Sequence, residues 1–342
     1  MNISYDTNEH DWDSFLSRQT YRPFLQSWTM GEVYRDCGQE PIRLAAMDEQ
    51  KILGICQALF VPARRGKHLA VLYGPIVEQQ DAAAMLIDAL KEEAKKRGCA
   101  FLRISPFAPT GSMSIAGSLP SPLHTLAEHV WHLPLQNINA DTIFSNMRAT
   151  ARNLIRRAEK DGVTVRASKD PNREIEEFLR LHDETRKRHG FTPYTNAFFR
   201  AQVKHFAPKN QCTLYLAEFQ GKVIAASIHM HVFGETSYHH GASSYEHRKI
   251  PASYLLQWTA IKDALKRGDS IYNFWGIAPP QAEEPKIKNQ KPSRHPFAGV
   301  TLFKTGFGGK LLTLEHCRDV PLSKLYYTTR AFEYIRKWRR GF

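Results

Sequence analysis

Arg148, Arg152 and Arg156 recur every fourth residue, with Arg157 beside the last. On a helix this spacing sets guanidinium groups along one face, and such a row can follow a phosphate backbone without reading bases. The same spacing also describes a solvated face, and Glu159 and Asp161 offset part of the charge. A second basic cluster, Arg336, Lys337, Arg339 and Arg340, ends the segment YYTTRAFEYIRKWRRGF. It suits an anionic lipid surface or plain solvent equally well. His229, His231, His239 and His240 fall across a predicted hairpin, with His229 and His231 on one face by alternation. Zinc would need two more ligands at metal spacing, and no cysteine or acidic residue supplies them, so core or pocket histidines are expected and no metal. The five cysteines are scattered and form no CxxC pair, which excludes a disulfide framework and points to a reducing cytoplasm.

The elements that position these residues are read from a repeat at half the chain's length. Residues 45–55, AAMDEQKILGI, lie over 216–226, LAEFQGKVIAA, with Lys51 on Lys222. At nearly the same offset Ala94-Lys95-Lys96-Arg97-Gly98 lies over Ala264-Leu265-Lys266-Arg267-Gly268. Each half therefore reads hairpin, strand, helix, glycine stop, strand, and duplicated α/β domains are expected. The helices AAAMLIDALKEEAKKRG and SYLLQWTAIKDALKRG each close on a basic last turn and a glycine. KVIAASIHMHV alternates and turns at Phe233-Gly234-Glu235. Between the repeats, one helix is predicted from an Asp141 cap to Gly162 and another over EIEEFLRLHDETRKRHG, stopping at Gly190. The Pro-rich polar stretch 278–298 reads as a mobile loop.

The chain has 342 residues, 42% of them hydrophobic and 24% charged, a composition that excludes disorder as the main state and suits two domains. A net charge of +13 favours a polyanionic partner: RNA, a phosphorylated substrate or an anionic membrane. MNISYDTNEHDWDSF has neither basic nor apolar leader character and no apolar run nears 18 residues, so a soluble or at most peripheral protein is expected.

FLQSW (24–28), LYGPIV (72–77), FLRISP (101–106), MRATARNLIRRAEKDGVTV (147–165), ETRKRHGF (184–191), YHHGASS (238–244), ASYLLQWTAIKDALKRGDSIYNFWGI (252–277) and GVTLFKTGFGG (299–309) run in this order along nearly the whole chain. In that order they resemble the FemABX family of non-ribosomal peptidyltransferases, compact type without the coiled-coil arm. The resemblance implies an α/β fold with mixed sheets in two tandem GNAT-like domains, assigned to residues 1–138 plus 318–342 and to 139–317. It implies transfer of an amino acid from aminoacyl-tRNA to the stem-peptide amine of a peptidoglycan precursor, lipid II or UDP-MurNAc-pentapeptide. The enzyme would be a cytoplasmic monomer with no cofactor, at most peripheral to the anionic inner membrane.

The resemblance also distributes roles. Phe303-Lys304 matches a Phe-Lys pair that the family carries on a late strand, with Lys304 placed beside the oxyanion or the tRNA terminus. Tyr34 and Tyr194 stand where compact members carry a lysine and an arginine against the precursor; Thr192 keeps a polar residue and His240 falls at an aromatic position. Arg35 and Arg188 are near enough in sequence to replace the missing cations, or to be solvated helix arginines. Ser105 replaces an acid, which leaves the amine's proton to the substrate or a water. No catalytic triad or paired carboxylate is legible, in keeping with an amine nucleophile. Acetyl-CoA is disfavoured as donor, because Glu246 to Ser253 contains no glycine and Pro251 removes an N–H. A non-catalytic RNA-binding relative is the other alternative.

Overall fold

The computed structural model describes residues 1–189, 194–280 and 296–340. Most of the Pro-rich stretch 278–298, and Gly190 with its expected helix stop, lie outside the described residues. The chain forms two units: Met1–Glu128 with Thr313–Phe342, and His129–Leu312. The first unit contributes β1 (Asn2–Ser4), β2 (Ile42–Asp48), β3 (Lys51–Val61), β4 (His68–Leu72), β5 (Ile76–Val77), β6 (Phe101–Ser105) and β7 (Leu119–Pro120), with helices α1 (Glu9–Ser17), α2 (Trp28–Asp36) and α3 (Gln80–Lys96). The second contributes β8 (His129–Pro134), β9 (Thr164–Ala167), β10 (Cys212–Phe219), β11 (Lys222–Val232), β12 (Glu235–Ser243), β13 (Ile271–Gly276) and β14 (Lys310–Thr313). Its helices are α4 (Ala140–Asn146), α5 (Ala149–Lys160), α6 (Pro171–His189), α7 (Asn196–Phe206), α8 (Ala252–Arg267) and α9 (Ala298–Thr305). The chain then returns to the first unit with β15 (Arg318–Pro321) and α10 (Leu325–Arg340).

The two mixed sheets share one topology. Their orders are β1-β2-β3-β4-β6-β15-β7 and β9-β10-β11-β12-β13-β8-β14, with β5 beside β3 in the first. In each, an antiparallel meander meets one parallel neighbour, β4 against β6 and β12 against β13. The repeat is visible in detail. The β2–β3 hairpin closes on Asp48↔Lys51 with a bulge after Ala46, and β10–β11 closes on Phe219↔Lys222 with a bulge after Ala217. α3 and α8 end alike, on left-handed Gly98 (φ 64°) and Gly268 (φ 78°). In both, the glycine N–H bonds the carbonyl three residues back, Lys95 or Leu265, and the next N–H reaches that of Ala94 or Ala264, so orphan helix carbonyls are satisfied where only glycine enters the left-handed region without strain.

The boundaries differ from the expected 138/139 and 317/318, because β8 pairs with β13 and so belongs to the second sheet. The helix expected from Asp141 to Gly162 is two helices. Asn139, not Asp141, caps α4 by accepting from Thr142 N–H at 2.8 Å, and extended backbone at Met147 and Arg148 separates α4 from α5. The break lets α5 bury Ala151, Ile155 and Ala158 in one core with Ala260, Ile261 and Ala264 of α8.

In the first unit Gln26 acts as a piece of backbone. Its amide carbonyl accepts from Gln57 N–H at 2.8 Å and its amide nitrogen donates to Leu72 O and Gln57 O at 2.8 and 3.1 Å. It thereby satisfies β3 and β4 where they part. A Cβ at Gly74 would press into this amide, which explains why FLQSW and LYGPIV occur together. Ser27 caps α2 by accepting from Met30 N–H. Deep in the same sheet Arg103 of β6 is held by Asp319 of β15 at 2.8 Å and by Glu333 of α10 at 2.7 Å.

Candidate active site

In the second unit the parallel pair comes apart. β12 and β13 pair only at Glu235↔Ile271, Thr236↔Tyr272 and Ser237↔Asn273. Beyond them β13 bulges against β8 between Asn273 and Gly276, and Trp275 adopts φ 66°, a left-handed conformation unfavourable to an aromatic side chain. The Asn273 side chain holds it there by accepting from Trp275 N–H at 2.7 Å. A bulge turns the strand and ends its pairing, so Tyr238 and Gly276 face an opened gap.

Lys304 fills that gap. Its Nζ donates to Gly276 O at 2.6 Å and lies 5.7 Å from the centre of the Tyr238 ring. Only 7% of the residue is exposed. Burial pushes the ammonium down to about 7, because low dielectric disfavours the charged form; the carbonyl and the ring face favour it. The Phe303-Lys304 pair is not on a strand, as expected, but in the last turn of α9. The reason is spacing: Phe303 and Phe307 lie one turn apart and pack on Tyr254, with ring centres 4.9 and 5.7 Å away, which turns Lys304 to the other side. Phe303, partly buried, thus packs against the core of the second unit. Gly241 leaves room for Tyr238, whose hydroxyl a Cβ there would strike.

The arginines expected on one helix face have separate partners. Arg148 precedes α5, its backbone N–H donating to Gly306 O and its guanidinium to Thr305 Oγ1 at 2.8 Å, so it holds the end of α9 beside Lys304. Arg152 folds back on Ser145 O and Met147 O, where a cation meets the carbonyl end of α4. Arg156 is exposed over the Phe144 ring at 5.2 Å. Arg157 reaches Asp161 at 3.4 Å and Lys249 O at 3.1 Å. The bond to Lys249 ties α5 to the loop before α8, whose N-cap position is Pro251 without a side-chain cap.

Tyr194 and His240 come together, with ring centres 5.5 Å apart, in an aromatic group with Phe198 and Phe199. The His239 ring lies tilted against His240 at 3.8 Å and edge-on to Trp275 at 5.0 Å, so this group is continuous with the Lys304 gap. Burial lowers the pKa of both histidines, His239 to about 3; both are neutral at pH 7. Thr192 and the Arg188 side chain lie outside the described residues. His229 meets the Tyr272 hydroxyl at 2.7 Å, and His231 meets Thr236 and Thr213 hydroxyls at 2.7 and 2.9 Å, both histidines lying in the core. In the first unit Tyr34 is buried in α2. Arg35 is engaged by Glu40 at 2.8 Å and by Glu32, so as a phosphate ligand it would have to leave two carboxylates. Ser105 is buried and donates to Cys317 Sγ at 3.4 Å.

Sequence reasoning missed Tyr238 and Trp275. Their signal lay in the segments already singled out, YHHGASS and IYNFWGI, where a glycine three residues after Tyr238 and one directly after Trp275 mark close backbone approach.

Two tandem units of this topology, with a parallel pair opened around a buried lysine, define a GNAT-like acyltransferase. A model of the acetyltransferase (GNAT) domain matches residues 145–283, and a model of the FemAB family matches residues 7–121. The chain is similar to the FemABX family along nearly its whole length. Aminoacyltransferase FemA of Staphylococcus epidermidis is 19% identical over 96% of this chain and 98% of its own length; that of Staphylococcus aureus is 21% identical over 91% and 96%. Among solved structures, that of FemX aligns with a TM-score of 0.79 at 18% identity, covering 96% of this chain and 99% of FemX. A tandem GNAT protein from the clavulanic acid pathway aligns at 0.52 and 12%, covering 91% and 92%.

Proposed function

We propose that the protein transfers an aminoacyl group from aminoacyl-tRNA to the stem-peptide amine of a peptidoglycan precursor, a step of cell-wall cross-bridge synthesis carried out in the cytoplasm. Its relatives from the two staphylococci are named aminoacyltransferases. The observation that carries the reading is Lys304, a buried cation at the mouth of an opened parallel pair. The neutral amine attacks the ester carbonyl carbon; a C–N bond forms and the carbonyl electrons move to oxygen. Collapse breaks the C–O bond to the ribose, and the amine's proton passes to water or to the departing oxygen. The ester is already activated, so the enzyme's task is positioning and stabilisation of the oxyanion. Lys304 is suited to that task because a phosphate or oxyanion arriving beside Nζ favours its protonated form.

In this reading Arg148 and Arg156 meet the tRNA backbone, while Arg152 and Arg157 chiefly hold α4 and the loop before α8. Tyr194 and His240 line the acceptor's approach, and Arg188 and Thr192 are assigned to the acceptor by the family resemblance alone. Isotope-labelled aminoacyl-tRNA, incubated with lipid II in one arm and UDP-MurNAc-pentapeptide in the other, should pass its label to the stem peptide. Label transfer from acetyl-CoA instead, or tRNA binding without transfer to either acceptor, would overturn the proposal.

A further inference from the structure

α10 is docked by one side only. Tyr326 is fully buried against Phe101, with ring centres 5.3 Å apart, Phe332 lies under Arg65 at 3.7 Å, and Glu333 pairs with Arg103. The opposite side is apolar and open. Tyr327, Tyr334, Ile335 and Trp338 are 57, 48, 51 and 83% exposed. Their spacing of seven, eight and eleven residues from Tyr327 puts them, with exposed Ala331, in one stripe, about 16 Å long at the helical rise. A helix needs one apolar stripe to pack on its own domain; a second, outward stripe marks a surface meant for something else.

Charge identifies the occupant. From Lys324 to Arg340 the sequence has six cations and a single carboxylate, Glu333, which Arg103 already engages. Beside the helix a cleft of about 380 Å³ is lined by Arg64, Arg65 and Arg336, with the Arg103-paired Glu333 also on its wall. Among the described residues no carboxylate lies within ion-pair distance of Arg64 or Arg336. Arg330 fixes the stripe's geometry by donating to the Tyr334 hydroxyl at 3.0 Å and the Tyr326 hydroxyl at 2.7 Å. Tyrosine and tryptophan with an apolar body and a polar edge, flanked by cations, match the interfacial layer of a bilayer whose headgroups are anionic.

We infer that the outer face of α10, with the arginine cleft beside it, is a docking surface for an anionic phospholipid bilayer: the aromatic stripe enters the interfacial layer and Arg64, Arg65, Arg336 and Lys337 engage lipid phosphates. The surface stands on its own geometry. It rests on the aminoacyl-transfer reading only in giving that reaction a place, the membrane surface where a lipid-linked acceptor would lie.

Co-sedimentation of the full-length protein with vesicles is the test. Vesicles of phosphatidylcholine mixed with phosphatidylglycerol should bind it, and phosphatidylcholine alone should not. Each neutralised cation should weaken binding about fivefold, so Arg336→Gln with Lys337→Gln should cost about 25-fold and flatten the salt dependence. Ile335→Ser with Trp338→Ser should abolish binding at moderate salt, and all four residues are exposed enough for the melting temperature to stay at the parent value. Lys304→Met should bind vesicles like the parent, so failure of transfer and failure of docking are separate results. Equal binding to neutral vesicles, undiminished binding by the double variants, or a dimer in solution that buries Trp338 in place of lipid would overturn the inference.

Discussion

The parallel strand pair of the first unit is closed and that of the second is open. β4 and β6 pair through five successive residues, from His68↔Phe101 to Leu72↔Ser105, while β12 and β13 stop after three. In the first unit the amide of Gln26 satisfies the backbone where β4 parts from β3; in the second, a bulge at Trp275 ends the ladder and a lysine ammonium takes the space. One topology thus serves twice. In the first unit the parting strands are closed by a side-chain amide; in the second a carbonyl and a ring face hold a cation against its desolvation, and the proposed reaction places its chemistry there.

Replacing Lys304 tests the open half. Lys304→Met keeps the side chain's bulk and removes the charge; kcat for label transfer should fall by roughly 10²–10³ with little change in acceptor KM. If transfer persisted at the parent rate, the two halves would be equally inert and the comparison would fail. The closed half is tested by Gln26→Ala, which strands buried groups of Gln57 and Leu72 and should cost about 3 kcal/mol of stability in a denaturant titration. At temperatures where the variant remains folded, kcat should be unchanged.

Acidity sharpens the contrast. Burial has lowered Lys304 from 10.5 to about 7. Between those values the unfolded chain binds the proton and the folded chain does not, so stability rises with pH across that window and Lys304→Met should flatten the rise. Transfer that needs the ammonium should slow as pH climbs through about 7, or through a higher value once the anionic donor is bound. A rate that instead increased through that range would make Lys304 a proton acceptor. Smaller still is the effect on tRNA: Arg148→Gln with Arg156→Gln should make the salt slope of binding shallower by about one for each phosphate that is no longer neutralised. The slightest change is expected from Gly98→Ala and Gly268→Ala, each costing about 1 kcal/mol. Equal costs would support the equivalence of the two helix ends; a large inequality would break it.

The duplication was legible because hairpin ends and helix stops are local: a lysine after a tight turn, a glycine after a basic last turn. Their partners in the fold are not local. Nothing in HVWHLP says that it crosses into the second sheet, since a strand's neighbour is chosen by tertiary packing. The arginine stripe was legible as spacing, yet the break at Met147 and Arg148 gives its members different work. Lys304 was found by resemblance to a family motif, whereas its helix was not, because GVTLFKT alternates well enough to pass for a strand and only the Phe303, Phe307 and Tyr254 packing decides against it. Tyr238 and Trp275 bear on the site through backbone geometry, which a single residue's type does not report.

The first sheet places β15, from residues 318–321, between β6 and β7, and Arg103 waits for Asp319 and Glu333. A ribosome makes those residues only after the whole second unit. Until they emerge, the earlier half carries a missing rung in its sheet and a guanidinium with neither of its carboxylates, although nearly all of its sequence has been synthesised. The second half, whose strand β8 is translated ahead of the rest of it, has no such wait. The second half is therefore complete in synthesis before the first, and a nascent chain from which residue 312 has just emerged should hold a folded second unit behind an unfinished first one.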